Sequence, residues 1–220
     1  MTELYISALH LDRKAVKALK ITDPYSLHRV VYSLFPDVRS EREKHSHIQS
    51  GIVYADQGGS FEGYEPVRKV LIISDRAPAN SIEGQYGQVI CKPLPEEFLN
   101  HNCYQFKVQV NPVRKDKQTG KRMAIKGREA TRQWFMDRAP RSWGFNVDAG
   151  HLQVDAIDVL QFHKQKDGPQ ITIGKAHLQG VLTVTHREQF QQSFKNGIGK
   201  GRAFGCGLLQ IVPMLDNPFA

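Results

Sequence analysis

The strongest constraint on this chain is a change of apolar period that occurs in the same order in both halves. ELYISAL (residues 3–9) reads as a strand, and DPYSLHRVVYSLFP (23–36) then switches to helical spacing. HIQSGIVYA (47–55) and VRKVLIIS (67–74) return to strand-like runs, separated by the turn-rich DQGGSFEGYEP, and YGQVICKPLP (86–95) supplies a fourth. The second half repeats the rhythm. YQFKVQV (104–110) alternates Tyr104, Phe106, Val108 and Val110 on one face, as a half-buried strand does. A basic loop leads to a helix over 125–138, and HLQVDAIDVLQFHKQ and ITIGKAHLQGVLTVT follow as two long strands joined through KDGP. A second helix is expected to start at Thr185, which forms a capping box with Glu188, and to stop at Gly197. GLLQIVP closes as a strand.

Strand, helix, strand, strand, given twice, predicts an α+β chain of two tandem ferredoxin-like (RRM-like) domains. No repeat of residue identity supports this, so the expectation rests on element order. Prolines 93 and 95 and the polar EEFLNHN mark the joint. The domains are therefore read as 1–97, which bears the first helix, and 98–220, with a basic loop and a glycine-rich loop.

The first helix is well specified. Asp23 is a good N-cap, Pro24 sits where its missing N–H costs nothing, and Pro36 stops the run. Leu27, Val30, Val31 and Leu34 form the apolar stripe. Off that stripe Tyr25 and His28 stand three apart, neighbours on the helix surface, with Arg29 beside them. A helix start also favours an anion such as phosphate.

Thirty Lys and Arg against 22 Asp and Glu give a net charge of +8, which asks for an anionic partner. The three cysteines, Cys91, Cys103 and Cys206, form no C-x-x-C, arguing against a disulfide scaffold or a zinc site and fitting a reducing cytoplasm. MTELYISALHLDRK has no long apolar run, so neither a signal peptide nor a membrane span is expected.

Positive charge concentrates in NPVRKDKQTGKRMAIKGREATR (111–132), where Arg114, Lys115, Lys117, Lys121, Arg122, Lys126, Arg128 and Arg132 face only Asp116 and Glu129. Such a loop either tracks a phosphate backbone or is simply solvated. GIGKGRAFGCGLL (197–209) adds five glycines with Lys200 and Arg202. Its order of helix, glycines, strand excludes a dinucleotide fingerprint, which needs strand, glycines, helix. The remaining readings are a loop lying against another backbone or a tight connection packed on the sheet. Of the nine histidines, His45 and His47 alternate, but no carboxylate or cysteine stands at ligand spacing, so no metal is expected.

One reaction needs few groups. RNA carries its own nucleophile, the 2′-hydroxyl, so an enzyme must align that oxygen with phosphorus, move a proton and hold the extra negative charge. A histidine can move the proton, and a lysine with a helix N-terminus can hold the charge.

The Tyr25-x-x-His28 helix resembles the first helix of the CRISPR-associated repeat-RNA endoribonucleases of the type I-E Cascade kind, the CasE family. GIGKGRAFGCGL is similar to their C-terminal glycine pattern at Gly197, Gly199, Gly205 and Gly207, and QVNPVRK with its basic loop and Trp-bearing helix also looks like this family. The resemblance implies two tandem ferredoxin-like domains and cleavage of precursor CRISPR RNA at the base of the repeat hairpin. The ends left are a 2′,3′-cyclic phosphate and a 5′-hydroxyl, with no metal or other cofactor. It also implies retention on the product hairpin of the mature crRNA as a subunit among other Cascade proteins; the cysteines and the N-terminus separately point to the cytoplasm and to no membrane contact. By matching position Tyr25 and His28 are the catalytic pair. Lys166, in the KDGP region, is similar in place to a charge-stabilising lysine, with Lys164 two residues away on the same strand face. RNA contacts are expected from Arg29, Arg114, Lys115, Arg122, Lys126, Arg128, Arg132, Lys164, Gly199, Lys200, Arg202, Gly205 and Gly207. The competing reading is a non-catalytic RRM-like RNA-binding subunit, although no strand carries the aromatic motif by which such sheets stack bases.

Overall fold

The structure, a computed structural model, describes residues 3–36, 50–62, 65–163 and 168–214. The chain divides into two compact units, Met1–Leu94 with Ala203–Gly205, and Pro95–Arg202 with Cys206–Ala220.

In the first unit β1 (Tyr5–Asp12) is followed by α1 (Arg13–Ala18), α2 (Pro24–Ser33), β2 (Ile52–Glu62), β3 (Glu65–Ser74) and β4 (Gln88–Pro93). The sheet runs β2-β3-β1-β4 with every neighbour antiparallel, the ferredoxin-like order. The helix usual between the last two strands is replaced by residues 75–87. That connection closes on itself through an Ile82–Tyr86 bridge, and Ile82 enters the core.

The predicted α2 forms with its cap. Ser26 N–H donates to Asp23 Oδ1 at 2.7 Å and Asp23 N–H donates to Ser26 Oγ at 3.0 Å, a reciprocal box around Pro24. Leu27, Val30, Val31 and Leu34 are buried against Leu9, Leu11, Tyr54, Val70 and Ile72. Each fully buried aliphatic stabilises the unit by about 1.5–3 kcal/mol relative to exposure, which is what fixes α2 to the sheet. Two features differ from expectation. A helix, α1, precedes α2, capped by Asp12 Oδ1, which accepts from Ala15 N–H at 2.6 Å. The stretch expected to turn, DQGGSFE, continues β2 instead. Its register shifts between Asp56 and Gly59, and Gly58 takes φ +76°, so a bulge absorbs the glycines without ending the strand.

The second unit contains β5 (Cys103–Val110), β6 (Val113–Lys115), β7 (Arg122–Ala124), α3 (Arg128–Ser142), β8 (Phe145–Val147), β9 (Gln153–His163), β10 (Gln170–Val184), α4 (Arg187–Asn196) and β11 (Gln210–Pro213). Its sheet is β11-β5-β10-β8, with β9 continuing the β8 edge along the rest of β10. This is again the ferredoxin-like order, here with both helices. The protein is thus α+β, two ferredoxin-like units in tandem. The predicted alternation on β5 holds, with Tyr104, Phe106, Val108 and Val110 all buried. An aromatic core packs on them: Phe106 lies 5.6 Å from Phe135, and Tyr104 lies 5.3 Å from Phe190.

Three boundaries move. The basic loop folds into the β6–β7 ribbon, joined to neither main sheet. Helix α3 starts at Arg128, after Gly127 at φ +89°, and ends at Ser142, with Pro140 near its C-terminal end. The Thr185–Glu188 capping box does not form. The N-cap of α4 is His186 with no side-chain cap, and the N–H groups of Thr185 and His186 both donate to Gly144 O, at 2.9 and 3.0 Å. That backbone pairing displaces the helix start by one residue.

Candidate catalytic and nucleic-acid-binding sites

On α2 the capped start presents Tyr25 and His28 together, ring centroids 6.2 Å apart with planes 23° from parallel. A second tyrosine stands closer. Tyr32 lies one turn further on, with its ring centroid 4.1 Å from that of His28 and tilted 48°. The sequence signal for it was the i, i+4 spacing from His28, which the pairing with Tyr25 overshadowed. His28 is half-buried and Arg29 is exposed. Lys164 and Lys166 lie outside the described residues, as do His45 and His47.

The second unit gathers cations around a pocket of about 300 Å³, lined by Arg114, Lys115, Arg122, Trp134, Arg138 and Lys200 among others. The ribbon supplies the first three, α3 the next two, and an Asn111–Lys200 bridge brings the glycine-rich loop to the ribbon's base. The ribbon's turn is set by Asp116, whose Oδ1 accepts from Thr119 N–H at 2.7 Å and Thr119 Oγ1–H at 2.8 Å. Those bonds, the backbone one foremost, hold the Asp116 carboxyl below its usual range. Arg138, not anticipated from the sequence, is four residues after Trp134 on α3 and so shares its face.

The other expected cations are deployed differently. Arg128 Nη1 donates to Val154 O at 2.5 Å, and Arg132 Nη2 donates to Ala149 O while lying 3.6 Å from Glu129. Both tie α3 to the β8–β9 side of the unit. Arg202 Nη1 donates to Asn196 O at 2.8 Å, closing the end of α4. Lys126 is exposed just before α3.

The glycines also divide. Gly199 has φ +73°, and a Cβ there would meet nothing within 4 Å, so its backbone is open to an approaching chain. Gly207 has φ +93°, and its missing Cβ would lie 2.4 Å from Ile198 O; the close backbone approach here is internal. Gly205, at φ +76°, is buried as well. Burial pushes the Cys206 thiol up to about 11, so it is no nucleophile near neutrality. Among the described residues no three His, Cys, Asp or Glu side chains group to hold a metal ion, and no helix is long and apolar enough to cross a membrane.

Fold and surface together define a class: a tandem ferredoxin-like protein with a basic face suited to a phosphate backbone. The chain belongs to the CRISPR-associated protein family, whose sequence model matches residues 4–213. It is similar to the CRISPR-associated endoribonuclease Cse3 of Thermus thermophilus, 27% identical over 137 residues, which cover 58% of this chain and 64% of that protein. The match thus spans less than two thirds of that relative's length. Among solved structures, T. thermophilus Cse3 bound to an RNA representing a pre-cleavage complex superposes with a TM-score of 0.76 at 21% identity, covering 96% of this chain and all of that one. A chain of a CRISPR RNA-guided surveillance complex superposes with a TM-score of 0.66 at 16% identity, covering 96% of this chain and 100% of the other. The expected kinship with the CasE endoribonucleases is borne out.

Proposed function

We propose that this protein is a metal-independent endoribonuclease that cuts precursor CRISPR RNA at the base of the repeat hairpin and stays on the product as a Cascade subunit in the cytoplasm. The observation that carries the reading is His28 between two tyrosines along the capped helix α2, in a chain of this family. Tyr25 orients the 2′-hydroxyl and His28 moves the proton. The 2′-oxygen forms a new bond to phosphorus as the P–O5′ bond breaks. The 2′-hydroxyl proton leaves to a base, and the departing O5′ takes one up, giving a 2′,3′-cyclic phosphate and a 5′-hydroxyl. A lysine, Lys166 by position, balances the charge that builds on the phosphorane. The nucleophile comes with the substrate, so no metal is needed to generate one.

RNA is held by the ribbon side of the second unit, with Arg114, Lys115, Arg122, Arg138 and Lys200 against phosphates and Gly199 allowing close approach. The deciding experiment uses a synthetic hairpin of the repeat from the source genome's CRISPR array, in excess EDTA. All-RNA substrate is cut, and a substrate with one 2′-deoxy residue just 5′ of the cut is bound but left whole. Tight binding of the all-RNA strand without cleavage would instead establish a non-catalytic RNA-binding subunit. For the same hairpin, Arg114→Ala with Arg122→Ala reduces the slope of log affinity against log salt by about 1 per residue. A slope equal to that of the unaltered protein would remove the ribbon from the interface.

A further inference from the structure

We propose that Tyr32 is a positioning residue that fixes the plane of the His28 imidazole, an inference that rests on the reading of His28 as the proton carrier. Every side chain on a helix leans toward the N-terminus and covers the turn before its own Cα. Tyr32 therefore leans over His28, whereas Tyr25, one turn earlier, leans away from it. The distances agree: 4.1 Å between the rings of His28 and Tyr32, against 6.2 Å between those of His28 and Tyr25. Only the first is direct ring contact.

Tyr32 is itself held. Its hydroxyl and Ser50 Oγ share a hydrogen bond of 2.7 Å, and the ring packs against the core of the first unit. Ser50 is fixed in turn, because its carbonyl accepts from Arg76 Nη1 at 3.1 Å. Next to it, Gly51 O accepts from Asp75 N–H at 3.1 Å. Arg76 also pairs with Asp75 at 2.7 Å and lies over the Phe35 ring, 5.6 Å from its centroid. A line of bonded groups thus runs from the end of β3 to the ring that faces His28. The need for such a brace is intrinsic to histidine. Rotation about its Cβ–ring bond has broad minima, so rotamer preference alone leaves the imidazole plane loose. A reacting group displaced by about 1 Å loses on the order of 100-fold in rate.

The test uses the full chain with Tyr32→Leu, Tyr32→Met and Tyr32→Phe, and the synthetic repeat hairpin as probe. Three quantities are read: hairpin affinity, single-turnover cleavage rate, and the NMR position of the His28 Hε1 resonance without RNA, assigned by its loss in His28→Ala. Tyr32→Leu and Tyr32→Met are expected to keep affinity and to lower the rate about 10- to 100-fold. Both release the Hε1 resonance from the ring-current shift of a neighbouring aromatic face. Tyr32→Phe, which keeps the ring and loses only the bond to Ser50, restores the shift and most of the rate. Methionine supplies flexible apolar packing should the leucine variant fail to fold. A folded Leu or Met variant with the wild-type rate, or an unmoved Hε1 resonance in either, overturns the assignment. Full cleavage by His28→Ala overturns the proton-carrier reading instead, so the two failures are distinct.

Discussion

His28→Ala is expected to slow cleavage of the repeat hairpin by about 100- to 10,000-fold, the range a positioned general acid or base contributes, while hairpin affinity is unchanged. The two halves of that result come from different units. His28 stands on α2 of the first unit, and the clustered cations that would carry phosphate contacts, Arg114, Lys115, Arg122, Arg138 and Lys200, belong to the second. Removing an imidazole from a half-buried surface position leaves the apolar stripe of α2 and its capping box in place. Equal losses of rate and affinity, measured by single-turnover cleavage beside equilibrium binding, would make His28 a structural residue and remove it from the chemistry.

The second large effect is on stability. Gly207→Ala is expected to destabilise the protein by about 2–4 kcal/mol, a severe loss for a fold held by roughly 5–15 kcal/mol. Two costs combine. A φ of +93° burdens any residue with a Cβ, and here that Cβ would sit 2.4 Å from Ile198 O. The neighbour cannot yield cheaply, since Ile198 N–H donates to Gly207 O at 2.8 Å and Gly207 N–H donates to Gln109 O at 2.6 Å. Gly199→Ala separates the two terms. Its φ is +73°, yet nothing lies within 4 Å of the added carbon, so only the conformational cost of about 1–2 kcal/mol applies. Urea denaturation midpoints of the two variants measure the difference; equal shifts would refute the clash.

Where the sequence carried its own punctuation, it was legible. Asp23, Pro24, the four-residue apolar stripe and Pro36 defined α2, and the alternation of Tyr104 to Val110 defined β5 with its inward face. Legibility failed where pairing partners decided the outcome. Helix α1 has six residues, too short for a period to show, and is set by the Asp12 cap. The β6–β7 ribbon is largely basic and exposed, so no apolar alternation announced it, and the Asp116 turn brings its strands together. Thr185 met the sequence requirement for a cap, but its N–H is committed to Gly144 O, a partner distant along the chain. At the candidate sites the residue types were readable and their employment was not. Arg128 and Arg132 look identical to Arg114 and Arg122 in the sequence, yet their guanidinium groups are bonded to backbone carbonyls. Tyr32 was hidden in plain spacing, because a tyrosine among core residues reads as packing until its ring is seen against His28.

The division of the chain also orders its birth. Ala203–Gly205 belong to the first unit, where the Tyr54 hydroxyl donates to Ala203 O at 2.8 Å and Gly205 lies against the Tyr54 ring. Nascent domains generally fold as they emerge, the N-terminal one first. Here the N-terminal unit receives its last residues only just before the C-terminal unit receives its own. The contacts of Tyr54 with residues 203–205 can form only after more than 100 further residues, most of the C-terminal unit, have left the ribosome. A ribosome that stalls soon after Leu94 therefore holds an unfinished fold, and a gene divided at that point would encode a first half missing three of its own residues.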